Sequence, residues 1–271
     1  MALSFIKMHG AGNDFVIFDG RSNKLALKTG DIQRIASRRL GIGCDQVIVM
    51  EPSKKADLFM RIYNADGSEV QSCGNASRCI SWLLMEETYA NKVQIETRSG
   101  ILECTRAGVA RICVDMGAPS FEWQDIPLSE KRDTLNLEMK QDGLVNPAAV
   151  SMGNPHMVFV VPDVKIINLA AIGPQLENHP LFPERANVSV VQIDKSDHVT
   201  LRVWERGAGL TLACGTAACA VVAVLNKRKL VQDKVIVALP GGELEINWDK
   251  KTGHIFMTGE VATSFRGEWA L

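Results

Sequence analysis

The seven cysteines never fall in a C-x-x-C spacing, which removes the ligand pattern of the common structural zinc sites. Their odd number, in a chain of 271 residues that needs no staples, argues for reduced thiols rather than a disulfide framework. There is no surplus of basic charge: 30 Lys and Arg face 31 Asp and Glu, and no Lys/Arg cluster stands out. A partner whose affinity rests on phosphate neutralisation, nucleic acid or an anionic membrane, is therefore not expected. The stretch M-A-L-S-F-I-K-M-H-G-A-G-N-D-F has no basic segment leading into an apolar run, so a cytoplasmic protein without an export signal is expected. The longest apolar run, Leu210 to Leu225, has 16 residues and is interrupted by Thr211, Gly215 and Thr216, short of the ~20 that span a bilayer. No Walker A motif is present, Gly10-Ala11-Gly12 lacks the third glycine of a dinucleotide fingerprint, and no lysine sits in a pyridoxal phosphate context. Neither cofactor nor metal is expected. Hydrophobic residues at 46% and charged residues at 23% are those of a globular chain.

What the chain does have is an internal repeat. Arg61-Ile62-Tyr63-Asn64 resembles Arg202-Val203-Trp204-Glu205, an offset of 141 residues. At the same offset Gly12-Asn13 falls on Gly153-Asn154, Gln46-Val47 on Asn187-Val188, and Cys73-Gly74 on Cys214-Gly215. Two homologous halves follow, residues 1–117 and 118–260, with the stretch 124–146 joining them or decorating the second. Each half reads as strands around one helix, an α/β (α+β) arrangement. Apolar residues after Cys73-Gly74 fall at Ala76, Ile80, Leu83 and Leu84, and after Cys214-Gly215 at Ala217, Val221, Val224 and Leu225. Both sets follow the i, i+4, i+7, i+8 spacing of one helix face. Each half is thus predicted to be a sheet wrapped on an apolar central helix that starts at a Cys-Gly.

A free cysteine is usually a small buried hydrophobe, and Cys44, Cys79, Cys104, Cys113 and Cys219 are read so. Cys73 and Cys214 differ because the repeat sets both at loop-to-helix junctions. The first N–H groups of a helix have no internal acceptor and carry partial positive charge, which lowers the pKa of a thiol placed there. Gly74 and Gly215 leave the same N–H groups open to a ligand carboxylate. If the halves face each other, two equivalent thiols flank one carbon: a thiolate takes its proton from one face and a thiol returns one to the other. That inverts a stereocentre, whereas cysteine hydrolysis needs one cysteine, a paired histidine and an oxyanion hole.

The halves also differ. Glu205-Arg206 replaces Asn64-Ala65, and Asn187 replaces Gln46. Arg206 can fork onto a carboxylate and Glu205 can accept from an ammonium, a pairing suited to an amino-acid zwitterion, although a surface ion pair explains the two residues taken alone. Asn13 and Asn154 are equally read as Asx-turn formers. His156 is either a thiol's support or a structural hydrogen bonder, and His9 fixes its loop.

H-G-A-G-N-D-F at residues 9–15, N-A-D-G-S-E at 64–69 and C-G-N-A-S-R-C at 73–79 resemble the diaminopimelate epimerase family. So do S-M-G-N-P-H at 151–156, H-P-L-F-P-E-R-A-N-V at 179–188 and E-R-G-A-G-L-T-L-A-C-G-T at 205–216. The resemblance implies a cofactor-independent epimerase of LL- and meso-2,6-diaminopimelate in lysine and peptidoglycan precursor synthesis, as a cytoplasmic homodimer. It implies two pseudo-symmetric domains, each a mixed, mainly antiparallel sheet around a central helix, with the tail 261–271 returning to the first. Cys73 and Cys214 would be the acid/base pair, supported by His156 and Glu205. Gly74, Asn75, Gly215 and Thr216 would hold the reacting carboxylate, and Asn13, Gln46, Asn64, Asn154, Asn187, Glu205 and Arg206 the distal end. The family commonly has glycine at Ala76 and Ala217 and glutamate at Leu210. Two alternatives stand beside it: a racemase or epimerase of histidine or hydroxyproline on the same scaffold, and an amino-acid-binding protein switched by a Cys73–Cys214 disulfide.

Overall fold

The computed structural model describes residues 2–270, and its chain divides into two compact units: one runs to Val114 and resumes at Thr258, the other is Asp115–Met257. In the first unit the elements are β1 (Ala2–Gly10), β2 (Asn13–Asp19), α1 (Thr29–Ala36), β3 (Gln46–Glu51), β4 (Leu58–Asn64), β5 (Glu69–Val70), α2 (Gly74–Thr88), β6 (Lys92–Thr97), β7 (Gly100–Gly108) and β8 (Arg111–Asp115). β1 pairs antiparallel with β2, β2 parallel with β3, β3 antiparallel with β4, β4 parallel with β6, and β6 antiparallel with β7. The strand Ala262–Ala270 closes on the outer side of β1, antiparallel, from His9↔Ala262 to Ala2↔Ala270.

The second unit comprises β9 (Lys140–Gln141), β10 (Leu144–Val145), β11 (Ala148–Ser151), β12 (Pro155–Val160), α3 (Leu169–Glu177), β13 (Asn187–Lys195), β14 (His198–Glu205), β15 (Gly209–Leu210), α4 (Gly215–Lys227), β16 (Lys234–Leu239) and β17 (Gly242–Trp248). The strands β11, β12, β13, β14, β16 and β17 pair in the same order and senses as β1, β2, β3, β4, β6 and β7. The repeat extends to the register: Phe15 faces Gln46 across one parallel pair, and His156 faces Asn187 across the other.

The burial of each strand follows its place. β4 alternates buried and half-buried side chains, as a strand with one dry face does. β3 buries Val47, Ile48, Val49 and Met50 in succession, the run expected where a sheet is covered on both faces. One cover is the central helix: α2 packs on β1, β6 and β7, and α4 on β11, β12, β13 and β17. α4 buries every residue from Ala217 to Leu225, the pattern of a helix enclosed on all sides. The other face carries α1 in the first unit, through Ile32 and Ile35. In the second unit it carries α3 together with the segment 124–146, whose Ile126, Leu128, Leu137 and Leu144 join Met157, Phe159, Leu176 and Val190 in one core. That segment therefore decorates the second half. Each such side chain, fully removed from water, contributes roughly 1.5–3 kcal/mol.

Candidate active site

The helix boundaries put both cysteines where the repeat predicts. Cys73 caps α2 with an extended backbone (φ −148°, ψ 110°), and Cys214 caps α4 likewise (φ −131°, ψ 115°). The first intrahelical bonds run from Ser77 N–H to the Cys73 carbonyl and from Ala218 N–H to the Cys214 carbonyl. The N–H groups of Gly74, Asn75, Gly215 and Thr216 lie in the first turn, for which the helix itself has no acceptor. Two left-handed glycines, Gly12 (φ 79°) and Gly153 (φ 84°), turn the chain into β2 and towards β12. Each sets an asparagine, Asn13 or Asn154, beside its own unit's cysteine loop.

In the first unit Asn13 Oδ1 accepts from Cys73 Sγ at 3.7 Å and from Asn75 Nδ2 at 3.3 Å. The orientation of that amide is set from behind, since Asn13 Nδ2 donates to Asp45 Oδ2 at 2.9 Å. Asn13 thus serves the cysteine loop through its side chain. Asn75 Oδ1 in turn accepts from the wholly buried Arg78. Gln46 and Asn64 meet across the β3–β4 pair, Gln46 Nε2 donating to Asn64 Oδ1 at 3.1 Å, while Gln46 Oε1 is buried without a partner.

In the second unit Asn154 spans two groups: Nδ2 donates to Thr216 Oγ1 at 3.4 Å, and Oδ1 meets His156 Nε2 at 2.9 Å. The Cys214 sulfur lies 3.5 Å from Thr216 Oγ1 and bonds to the Glu205 side chain, whose Oε1 also accepts from the Thr211 hydroxyl. Asn187 donates to the Pro155 carbonyl and accepts the Arg206 N–H, both at 3.0 Å. The Arg206 guanidinium goes to the Glu184 carbonyl at 2.9 Å. The Glu205 carboxylate turns to Cys214 and Thr211.

One expectation is corrected. A helix start should lower a thiol's pKa, yet Cys214 is pushed well above the ordinary range. Burial dominates, and the neighbouring Glu205 carboxylate adds to it, against weaker opposing bonds from Thr216 and the Ala217 N–H. Burial and the adjacent Glu205 carboxylate thus both favour the thiol over the thiolate at Cys214. His156 is buried and pushed down to about 3, first by desolvation and then by the Arg206 charge. The imidazole is neutral: Nε2–H donates to Asn154, and Nδ1 is left buried with no partner.

The His156 shift has a sign that can be measured. Its folded pKa lies below that of the unfolded chain, so stability is complete above about pH 6.5 and falls as pH drops from there towards about 3. Urea unfolding of His156→Gln and of the parent at pH 4–6.5 is expected to differ in slope by about 1.4 kcal/mol per pH unit, the parent being steeper. Parallel curves would show a solvated imidazole.

Sequence reasoning did not single out Asp45, which orients Asn13, Arg78, which holds Asn75, or Thr211, which donates to Glu205. Asp45 acts on a residue far away in the sequence, so no local spacing marks it; Arg78 and Thr211 lay in plain view within C-G-N-A-S-R-C and E-R-G-A-G-L-T-L-A-C-G-T. Ala76 and Ala217 are wholly buried, whereas Leu210 is half exposed on β15. Among the described residues no group of three or more His, Cys, Asp or Glu side chains has a metal-holding arrangement. No described helix is long and apolar enough to cross a membrane.

Comparison with known proteins extends the likeness over the chain. The profile of the family described as diaminopimelate epimerase matches residues 5–122 and 148–264. The diaminopimelate epimerase of Acidiphilium cryptum is 49% identical over 267 residues, covering 98% of this chain and 96% of that protein. That of Phenylobacterium zucineum is 47% identical over 272 residues, covering 99% and 98%. Among solved structures, a PhzF-family phenazine biosynthesis protein of Bacillus anthracis superposes with a TM-score of 0.73 at 18% identity, covering 100% of both chains. A hydroxyproline epimerase of Agrobacterium vitis gives 0.72 at 16%, covering 100% of this chain and 93% of its own. At such identities the likeness is one of fold.

Proposed function

Because the chain belongs to the diaminopimelate epimerase family, we propose that it interconverts LL- and meso-2,6-diaminopimelate, with Cys73 and Cys214 as the acid/base pair. The observation that carries this reading is the duplication itself: one cysteine caps each central helix, in the same backbone setting, with first-turn N–H groups beside it. Negative charge developing on the substrate carboxylate as the α-carbon loses its proton is stabilised by such N–H groups. One cysteine acts as thiolate base on one face of that carbon and the other as thiol acid on the opposite face, and their roles exchange with direction.

The raised Cys214 thiol suits the acid role, and Glu205 is placed to take its proton when the direction reverses. The neutral His156, through Asn154, supports the loop that carries Thr216. Gln46 Oε1, buried and unpartnered, would accept from the distal ammonium, alongside Asn13, Asn64, Asn154, Asn187 and Glu205, while Arg206 would take the distal carboxylate. The same reading makes the protein a cytoplasmic homodimer supplying lysine and peptidoglycan precursors.

The test is epimerisation of LL-diaminopimelate in deuterated water. Early product should carry one solvent deuterium at the inverted carbon while recovered substrate stays largely unlabelled, since each thiol serves one face. Equal labelling of both pools would replace the pair by a single base, and an absence of turnover would remove the activity.

A further inference from the structure

Glu177 is a buried acid that the chemistry above does not use. It is the last residue of α3, its side chain is 8% exposed, and a negative charge at a helix C-terminus meets unfavourable dipoles. Its stability alone would favour an apolar residue there. Its contacts point elsewhere. Oε2 accepts the Trp204 indole N–H at 2.7 Å, and Oε1 accepts the Gly207 N–H at 2.9 Å and Arg185 Nη1 at 3.2 Å. Trp204 and Gly207 flank Glu205-Arg206, so one carboxylate ties down both ends of that turn. Trp204 reaches Glu177 only because its ring lies over Gly173, where an added Cβ would stand 2.4 Å from Trp204 Cδ2.

We propose that Glu177 is a positioning residue that holds the Glu205–Arg206 turn in its substrate-gripping form, and so sets affinity for the distal amino-acid end. This rests on the diaminopimelate reading. The chemistry requires a carboxylate: three donors converge on two acceptor oxygens, and an amide of equal size offers one acceptor while its NH₂ confronts a donor. Glu177→Gln therefore creates a donor–donor clash in addition to removing charge. The turn should loosen while the cysteine helices, carried by other contacts, keep their places.

The experiment measures KM and kcat for diaminopimelate in E177Q, W204F and the double variant, with 5-fluorotryptophan incorporated for fluorine NMR. E177Q is expected to raise KM at least tenfold with a smaller fall in kcat. W204F removes one donor and should raise KM about threefold alone. Placed in the E177Q background, it removes the clash and should lower KM by threefold or more. A structural role alone would add the two losses and shift melting without this reversal. Unchanged KM in E177Q, or strictly additive losses, overturns the proposal. If E177Q is not recovered folded, W204F decides: a KM equal to the parent's overturns it. If the parent itself turns over no diaminopimelate, the functional reading fails. The Trp204 resonance, assigned by its loss in W204F, still reports the Glu177 bond by its shift in E177Q, and an unmoved resonance overturns the positioning role.

Discussion

Alanine in place of Cys73 or of Cys214 is expected to lower kcat/KM for diaminopimelate by about 10⁴-fold, and to do so in both directions from either variant. The magnitude follows from what each sulfur does. A positioned acid or base contributes about 10²–10⁴-fold, and inversion has no bypass, because a carbon stripped on one face must be reprotonated on the other. The two variants should nevertheless differ in what survives. Where the remaining thiol can still act as base, the α-hydrogen of one epimer should wash out into deuterated water without inversion: in C214A for the epimer whose proton faces Cys73, in C73A for the other. Nuclear magnetic resonance of recovered substrate reads this directly. The Cys214 centre adds a pH signature, since its thiol lies above the ordinary range through burial and Glu205. Exchange in C73A, which needs Cys214 as thiolate, should climb across the alkaline range rather than level off near neutrality. Turnover retained within tenfold of the parent in either variant would remove that sulfur from the reaction.

How much of this was legible in the chain depends on whether a feature was written twice. The central helices α2 and α4 and the strands β2, β3, β4, β12, β13 and β14 recur at one offset, so each half vouches for the other. The helices on the outer faces occupy equivalent positions, Thr29–Ala36 and Leu169–Glu177, but their residues do not match: T-G-D-I-Q-R-I-A and L-A-A-I-G-P-Q-L-E span 8 and 9 residues, too short for periodicity to speak, and tertiary packing of Ile32, Ile35, Leu169 and Leu176 holds them. The outermost strand Ala262–Ala270 exposes much of its length and shows no clean alternation. At the site, Cys73 and Cys214, Gly74 and Gly215, and Asn13 and Asn154 were readable because they are duplicated. Glu177 and Asp45 act on residues 27 to 32 positions away through contacts found in one half only. The raised Cys214 thiol was unreadable for another reason: a helix start announces its dipole in sequence, whereas burial and the approach of Glu205 belong to the folded chain.

The largest loss of stability attached to the site is expected at Asp14, the acid of H-G-A-G-N-D-F. Lys7, 7% exposed, donates to Asp14 Oδ2 at 2.5 Å and to the Gly43 carbonyl. Arg38 forks onto both Asp14 oxygens at 3.0 and 2.7 Å and reaches Asp45 Oδ1 at 2.7 Å. Burial works against the Asp14 charge, but the bonds from Arg38 and Lys7 outweigh it and hold the carboxyl well below its usual range. Asp14→Ala leaves the Lys7 ammonium buried with no counter-charge, a change that costs about 3 kcal/mol, or about 6–12 °C in a chain of this size. The sign in acid follows from the shift. The stabilisation is complete above about pH 4 and is lost as pH falls below it, so parent and variant should converge in strong acid. Activity should suffer by a separate route, because Asp14 also accepts the Asp45 N–H at 2.9 Å, Asp45 orients Asn13, and Asn13 accepts from Cys73. Adding Lys7→Met to Asp14→Ala separates the two effects. An apolar side chain in place of the stranded ammonium should return most of the melting temperature, while kcat/KM stays below the parent's because Asp45, still held by Arg38 and the Asp14 backbone, has lost the Asp14 carboxylate that fixes its N–H. If the double variant regains activity together with stability, Asn13 is not oriented through this network; if Asp14→Ala melts with the parent, Lys7 is not held by it.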